Sequence, residues 1–194
     1  MLSITQYSLP RLTRGFTLLE VLITVVILAF GLLGLATLQS KMQLAEVESY
    51  QRSQGVVLLN NMLEMIYANH TNASDYVTGV SIGTGDTQPA SCTGVAFGAN
   101  RDICEWSNAL KGAAEKDSTN ADVGAMIGAH GCITLIQAED TTPGVCNPGI
   151  YRVSVIWQGL HPTAAPSLVC PGDVADASLR SLSSEITVGL STCI

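Results

Sequence analysis

Few side chains in this sequence could do chemistry: six cysteines, three histidines and one carboxylate set in an apolar run. Cys92, Cys104, Cys132, Cys146, Cys170 and Cys193 contain no C-x-x-C pair, and His70, His130 and His161 are scattered, so neither a zinc site nor a redox motif is indicated. His130 beside Cys132 is the nearest approach to a ligand pair, and a loop histidine next to a disulfide cysteine is the simpler reading. An even number of cysteines, all beyond the apolar run, reads as three disulfides formed in an oxidising compartment. Proximity in sequence favours Cys92–Cys104, Cys132–Cys146 and Cys170–Cys193, one of the connectivities that six cysteines allow.

The carboxylate is Glu20. From Phe16 to Leu38 the chain runs 23 residues with no other charge. At about 1.5 Å per residue that is helix enough to cross a hydrocarbon core of ~30 Å. A charge inside such a segment costs at least ~2.5 kcal/mol, so an acidic residue there calls for a function and a partner. Hydrolytic signatures are missing: there is no G-x-S-x-G elbow and no H-E-x-x-H, and paired cysteines cannot act as nucleophiles. Gly83-Thr84-Gly85-Asp86 reads as a turn, because no strand precedes it and no helix follows it to make a phosphate cradle. No enzymatic activity and no cofactor are expected. The rival reading of this class is a single-pass, membrane-anchored periplasmic enzyme or adhesin.

The net charge is −7, and the nine basic residues are spread thinly. That acidity excludes a broad nucleic-acid footprint. Arg101, Lys111 and Lys116 form the one local basic group, and a solvated helix face accounts for them.

These residues must be carried by an N-terminal helix and a small domain. Arg11 and Arg14 precede the apolar run and would hold the segment before it in the cytoplasm, leaving the C-terminal part in the periplasm. After Leu38 the helix is expected to continue to Ala68 in amphipathic form, with Val47, Gly55, Leu58, Leu59, Met62 and Ile66 on its packed face. Residues 69–74 break it with cap and turn types. Val77 to Gly98 reads as loop and Arg101 to Glu115 as a short helix. Strands are expected over 131–137, 150–159 and 184–191, the first two joined by the Pro- and Gly-bearing turn 141–149. The fold class is therefore α+β: a long N-terminal helix, membrane-spanning in its first half, packed on a small disulfide-stapled antiparallel sheet.

Gly15-Phe16-Thr17-Leu18-Leu19-Glu20 resembles the processing site of type IV prepilins and the pseudopilins of type II secretion. The resemblance implies cleavage after Gly15 by a membrane prepilin peptidase, N-methylation of the new terminus at Phe16, and an assembly role for Glu20 toward the N-terminal amine of a neighbouring subunit. It divides the chain into a leader (1–15), a transmembrane and assembly helix (16–38), an amphipathic helix (39–68) and a periplasmic domain (69–194). Removing Arg11 and Arg14 with the leader would leave 7 basic against 16 acidic residues, or −9.

Within that superfamily the apolar segment through Gly31-Leu32-Leu33-Gly34-Leu35-Ala36, the run from Asn61 to Asn69, Trp106 with Leu110, and Tyr151 to Trp157 resemble minor pilins of the PilV type. Major pilins usually carry a proline where this chain has Thr37 and Leu38. The implied function is a minor pilin that primes or joins a type IV pilus, anchored first in the inner membrane and then held in the filament or at its tip. The implied partners are the peptidase, other minor and major pilins, the inner-membrane assembly platform, membrane lipid and a tip adhesin. A type II secretion pseudopilin is the nearest alternative.

Overall fold

A computed structural model of the chain describes residues 15–113, 116–119, 122–124 and 126–189. The backbone divides into two compact units, Met1–Ala45 and Glu46–Ile194. Among the described residues, helix α1, Leu18–Ala68, supplies the regular structure of the first unit and the first element of the second.

In the second unit α1 packs on an antiparallel sheet of four strands in the order β1 (Ile82–Gly83), β2 (His130–Gln137), β3 (Gly149–Gln158) and β4 (Leu179–Val188). The face α1 buries is Gln51, Gly55, Leu59, Met62 and Ile66, a stripe of three- and four-residue steps. Leu58 is half-buried and Val47 is exposed, so the packed face begins one turn later than the apolar pattern implies. The opposing layer comes from alternate residues of β3: Tyr151, Val153, Val155 and Trp157 point one way into the core. On the other face Ile156 packs with Cys132, Cys170 and Leu179 in a second, smaller cluster. The chain between β3 and β4 therefore covers the outer side of the sheet.

A 3₁₀ segment, His70–Tyr76, and helix α2, Ala99–Leu110, complete the unit. α2 is shorter than the expected 101–115, ending before Gly112 takes a positive φ of 85°. Within the expected loop, Ile82 and Gly83 pair with Gly131 and His130 to give β1. β4 begins at Leu179, earlier than expected: Leu179 lies on the outer cluster and Leu182 against the inner core, the opposite faces that residues three apart on a strand must take, but leucines at that spacing do not show the apolar–polar alternation of a one-sided strand. The last residues of the expected strand, 190 and 191, lie outside the described residues.

Two disulfides lie wholly among the described residues, Cys92–Cys104 and Cys132–Cys170. The second overturns both Cys132–Cys146 and Cys170–Cys193. Cys132 sits near the start of β2, and the β2–β3 connection that carries Cys146 leaves from the other end at Gln137. Five residues of strand make about 17 Å at ~3.3 Å each, well beyond the 4.4–6.8 Å Cα separation a disulfide tolerates. Cys170 instead arrives over the outer face, with a Cα–Cα distance of 5.7 Å. Cys146 is disulfide-bonded as well; Cys193 lies outside the described residues.

Trp106 joins the layers. Its ring is fully buried, its indole N–H donates to the Leu58 carbonyl of α1 at 3.0 Å, and its edge lies against Gly131 of β2. A Cβ on Gly131 would fall 2.3 Å from Trp106 and 2.7 Å from the Ser154 carbonyl. Asp86 fastens the irregular stretch before α2. Its carboxylate accepts from Gly83 N–H at 2.8 Å, Gln88 N–H at 3.1 Å and the Ser107 hydroxyl at 2.7 Å, and pairs with Lys111. Burial raises its pKa, but Lys111 and the three hydrogen-bond donors outweigh burial and hold it below the usual carboxylate value.

Two outcomes are expected. Gly131→Ala should cost about 1–3 kcal/mol through overpacking, read as a lower denaturation midpoint, whereas Gly79→Ala, with open space around it, should move it little. Because the folded-state pKa of Asp86 is depressed, its contribution is present above the unfolded value of ~3.9 and is lost as pH falls through the folded value. Asp86→Asn should therefore cost about 2 kcal/mol near neutrality and flatten the acid limb of a stability–pH curve. An unaltered acid limb would show that this carboxylate is not a source of acid sensitivity.

Candidate processing and assembly site

The first unit contains the residues singled out at the N-terminus. Gly15, Phe16 and Thr17 are non-helical and exposed, and α1 starts at Leu18. Thr17 starts the helix because its side chain can do what the orphan amides need. Its Oγ1 accepts from the Glu20 N–H at 3.3 Å, and its carbonyl accepts from Glu20 at 3.1 Å and Val21 at 3.3 Å. Thr17-Leu18-Leu19-Glu20 has the T-x-x-E spacing of a capping box, which puts a carboxylate in the first turn where the helix dipole favours negative charge. Thr17 is thus the cap that positions Glu20, and its T-x-x-E spacing is the local signal of it.

The peptide bond between Gly15 and Phe16 and the Glu20 carboxylate are therefore on opposite sides of one cap. Beyond it the helix is apolar all round. Phe16 is 78% and Leu18 85% exposed, and the large apolar side chains on to Leu38 are exposed as well. The helix is long and apolar enough to cross a bilayer. Two of its hydroxyls are satisfied within it: Thr24 Oγ1 donates to the Val21 carbonyl at 2.8 Å and Thr37 Oγ1 to the Leu33 carbonyl at 2.9 Å. That is the condition a polypeptide must meet in hydrocarbon, where water cannot serve the backbone. Glu20 is the sole charged side chain of this stretch. Gly31 and Gly34 leave open space on the helix surface. Arg11 and Arg14 lie outside the described residues.

Among the described residues, His, Cys, Asp and Glu side chains do not gather in threes that could hold a metal. His130 bonds to the Gly128 carbonyl and to Asp173, each at 2.8 Å, and has no cysteine or second histidine as co-ligand. Tyr76 donates to the Asp102 carboxylate and accepts from Asn69 at 3.3 Å. Burial first, then Asp102, push its pKa up to about 12, so it stays a neutral, structural hydroxyl.

Residues 10–36 match the model of the prokaryotic N-terminal methylation motif. The match covers the proposed cleavage point and Glu20, and gives the chain a prepilin-like N-terminus. No curated protein and no solved structure matches the chain.

The cap can be tested apart from any assembly role. In lipid nanodiscs, Thr17→Ala should fray the first turn of α1, at a cost of about 1 kcal/mol, and speed amide exchange at Glu20 and Val21 severalfold. Exchange beyond Thr24 should be unchanged.

Proposed function

We propose that the chain is a minor pilin of a type IV pilus, made as a prepilin and joined to other pilins through its N-terminal helix. The observation that carries this reading is the methylation motif over residues 10–36. The exposed apolar helix with one acidic side chain supports it, since such a surface is stable only in lipid or against other helices.

The chemistry follows from the sequence around the cap. Prepilin peptidase cuts between Gly15 and Phe16, and methylation of the new amine leaves its positive charge in place. The basic leader keeps the cut on the cytoplasmic side, with the C-terminal domain in the periplasm. An ammonium and a carboxylate moved separately into an apolar bundle are each costly, and together each offsets the other. The Phe16 ammonium of an incoming subunit thereby registers against the Glu20 carboxylate of its neighbour. A mismatch leaves one buried charge uncompensated, which costs about 3–5 kcal/mol and sets the register. The apolar helices pack around this pair as the subunit leaves the bilayer.

Two measurements decide this. Mass spectrometry of protein from membranes containing the peptidase should find an N-methylated Phe16 at the terminus; an intact Met1 would refute the reading. Glu20→Ala should leave the second unit's denaturation midpoint unchanged and abolish or strongly reduce filament incorporation, whereas normal piliation with that variant would remove the charge-pair mechanism. Co-purification with pilus subunits, rather than secretion-system components, is the expected outcome that separates the minor pilin from a pseudopilin.

A further inference from the structure

We propose that the groove between the 3₁₀ segment and the N-terminal end of α2 binds a neutral saccharide. A cavity of about 490 Å³ is lined by Asn72, Asp75, Phe97 and Asn100 among others. A second, of about 460 Å³, shares Asp75 and Asn100 with it and reaches Gln88. The two adjoin through those shared residues.

Phe97 forms one wall and is 87% exposed. An aromatic ring left so open is a surface for stacking, and this one is held in place. The Arg101 guanidinium lies 4.4 Å from the ring centroid and is itself fixed by Glu105 at 2.9 Å. Gly98, at φ 101° and ψ −156°, occupies backbone space that glycine almost alone can enter, and so turns the chain from Phe97 directly into α2. The Cys92–Cys104 disulfide ties the preceding loop to α2. A site held rigid before binding loses less entropy on occupation.

The polar wall fits hydroxyl groups. Asn72 spends its amide N–H on Asn69 at 2.9 Å and Thr71 at 3.4 Å, leaving its carbonyl as an acceptor. Among the described residues the Asp75 carboxylate and the Asn100 amide bond to no partner. Sugar hydroxyls both donate and accept, which amides and a carboxylate answer together, and the C–H face of a pyranose packs on an aromatic ring. The carboxylate of Asp75 disfavours an anionic ligand, and Arg101 beside the ring disfavours a cationic one. This inference is independent of how the N-terminus is processed.

The test is calorimetric titration of the full chain in lipid nanodiscs, free of sugar detergents, with cellotriose, maltotriose and tri-N-acetylchitotriose. At least one should bind saturably. Phe97→Ala, and separately the double variant Asp75→Ala with Asn100→Ala, should each weaken that binding by about tenfold or more. Because all three side chains are exposed, thermal midpoints should stay at the wild-type value, and the loss then belongs to the groove. Saturable binding by none of the three, or binding that both variants leave intact, would overturn the proposal.

Discussion

The second unit depends on the place where the Trp106 ring meets Gly131. Three elements converge there: α2 supplies the ring, β2 the glycine, and α1 the carbonyl of Leu58 that takes the indole N–H. The contact is demanding in two ways. The ring needs a surface without a Cβ, and its N–H, buried away from water, needs an acceptor. Leu58 is mid-helix, so its carbonyl can accept from the indole as well as from its own helix, having two lone pairs. A single tryptophan thereby sets the distance of α2 from both α1 and the sheet, and the core side chains Met62, Ile66, Leu110 and Ile133 fill the remaining space.

The stretch between α1 and α2 has little regular structure, and polar contacts do the work that a strand ladder would do elsewhere. Thr78 extends the edge of β2 by one rung: its N–H donates to the Ile133 carbonyl and its hydroxyl accepts from the Ile133 N–H, each at 3.0 Å. Tyr76 reaches Asp102, and Asp86 gathers Gly83, Gln88, Ser107 and Lys111. At the far side of the sheet Arg180 does the same for the β3–β4 connection, donating to the His161 carbonyl at 2.6 Å and pairing with Glu48 of α1 at 3.4 Å. Each of these hubs joins residues distant in sequence, so each becomes satisfied only when the tertiary fold is complete.

That dependence explains what could be read in advance. The apolar run and the stripe Gly55, Leu59, Met62 and Ile66 were legible because helical periodicity is local, and β3 was legible from Ile150 to Gln158 because apolar β-branched residues crowd it. The N-terminal methylation motif was legible for the same reason, lying in one short segment. Gln51 was not read as core, since nothing local shows that a glutamine will be covered. Two-residue β1 carries too little pattern to detect. Nor was Cys132–Cys170 accessible: sequence proximity favoured Cys146, and the fact that mattered was which face of the sheet the 159–178 segment crosses. The groove proposed for a saccharide escaped for a like reason, as Phe97, Asp75 and Asn100 meet only through the turn at Gly98 and the placement of the 3₁₀ segment.

Glu20 combines a local demand with a collective one. In an isolated helix the T-x-x-E spacing already accounts for an acid there, because the first-turn amides and the dipole favour it. A cap of that kind is worth about 1 kcal/mol, less than the ~2.5 kcal/mol or more that a carboxylate costs within hydrocarbon. Capping alone would thus select serine or threonine at the cap and a neutral glutamine at the third position. On the proposed function the deficit is made up by a positive charge delivered into the same apolar surroundings: cleavage after Gly15 would free an amine four residues before Glu20 on every subunit. The cap then has a further consequence. By fixing the first turn it fixes where Glu20 stands relative to Phe16, so that in the proposed filament one covalent spacing, repeated in each copy, would set the spacing between copies.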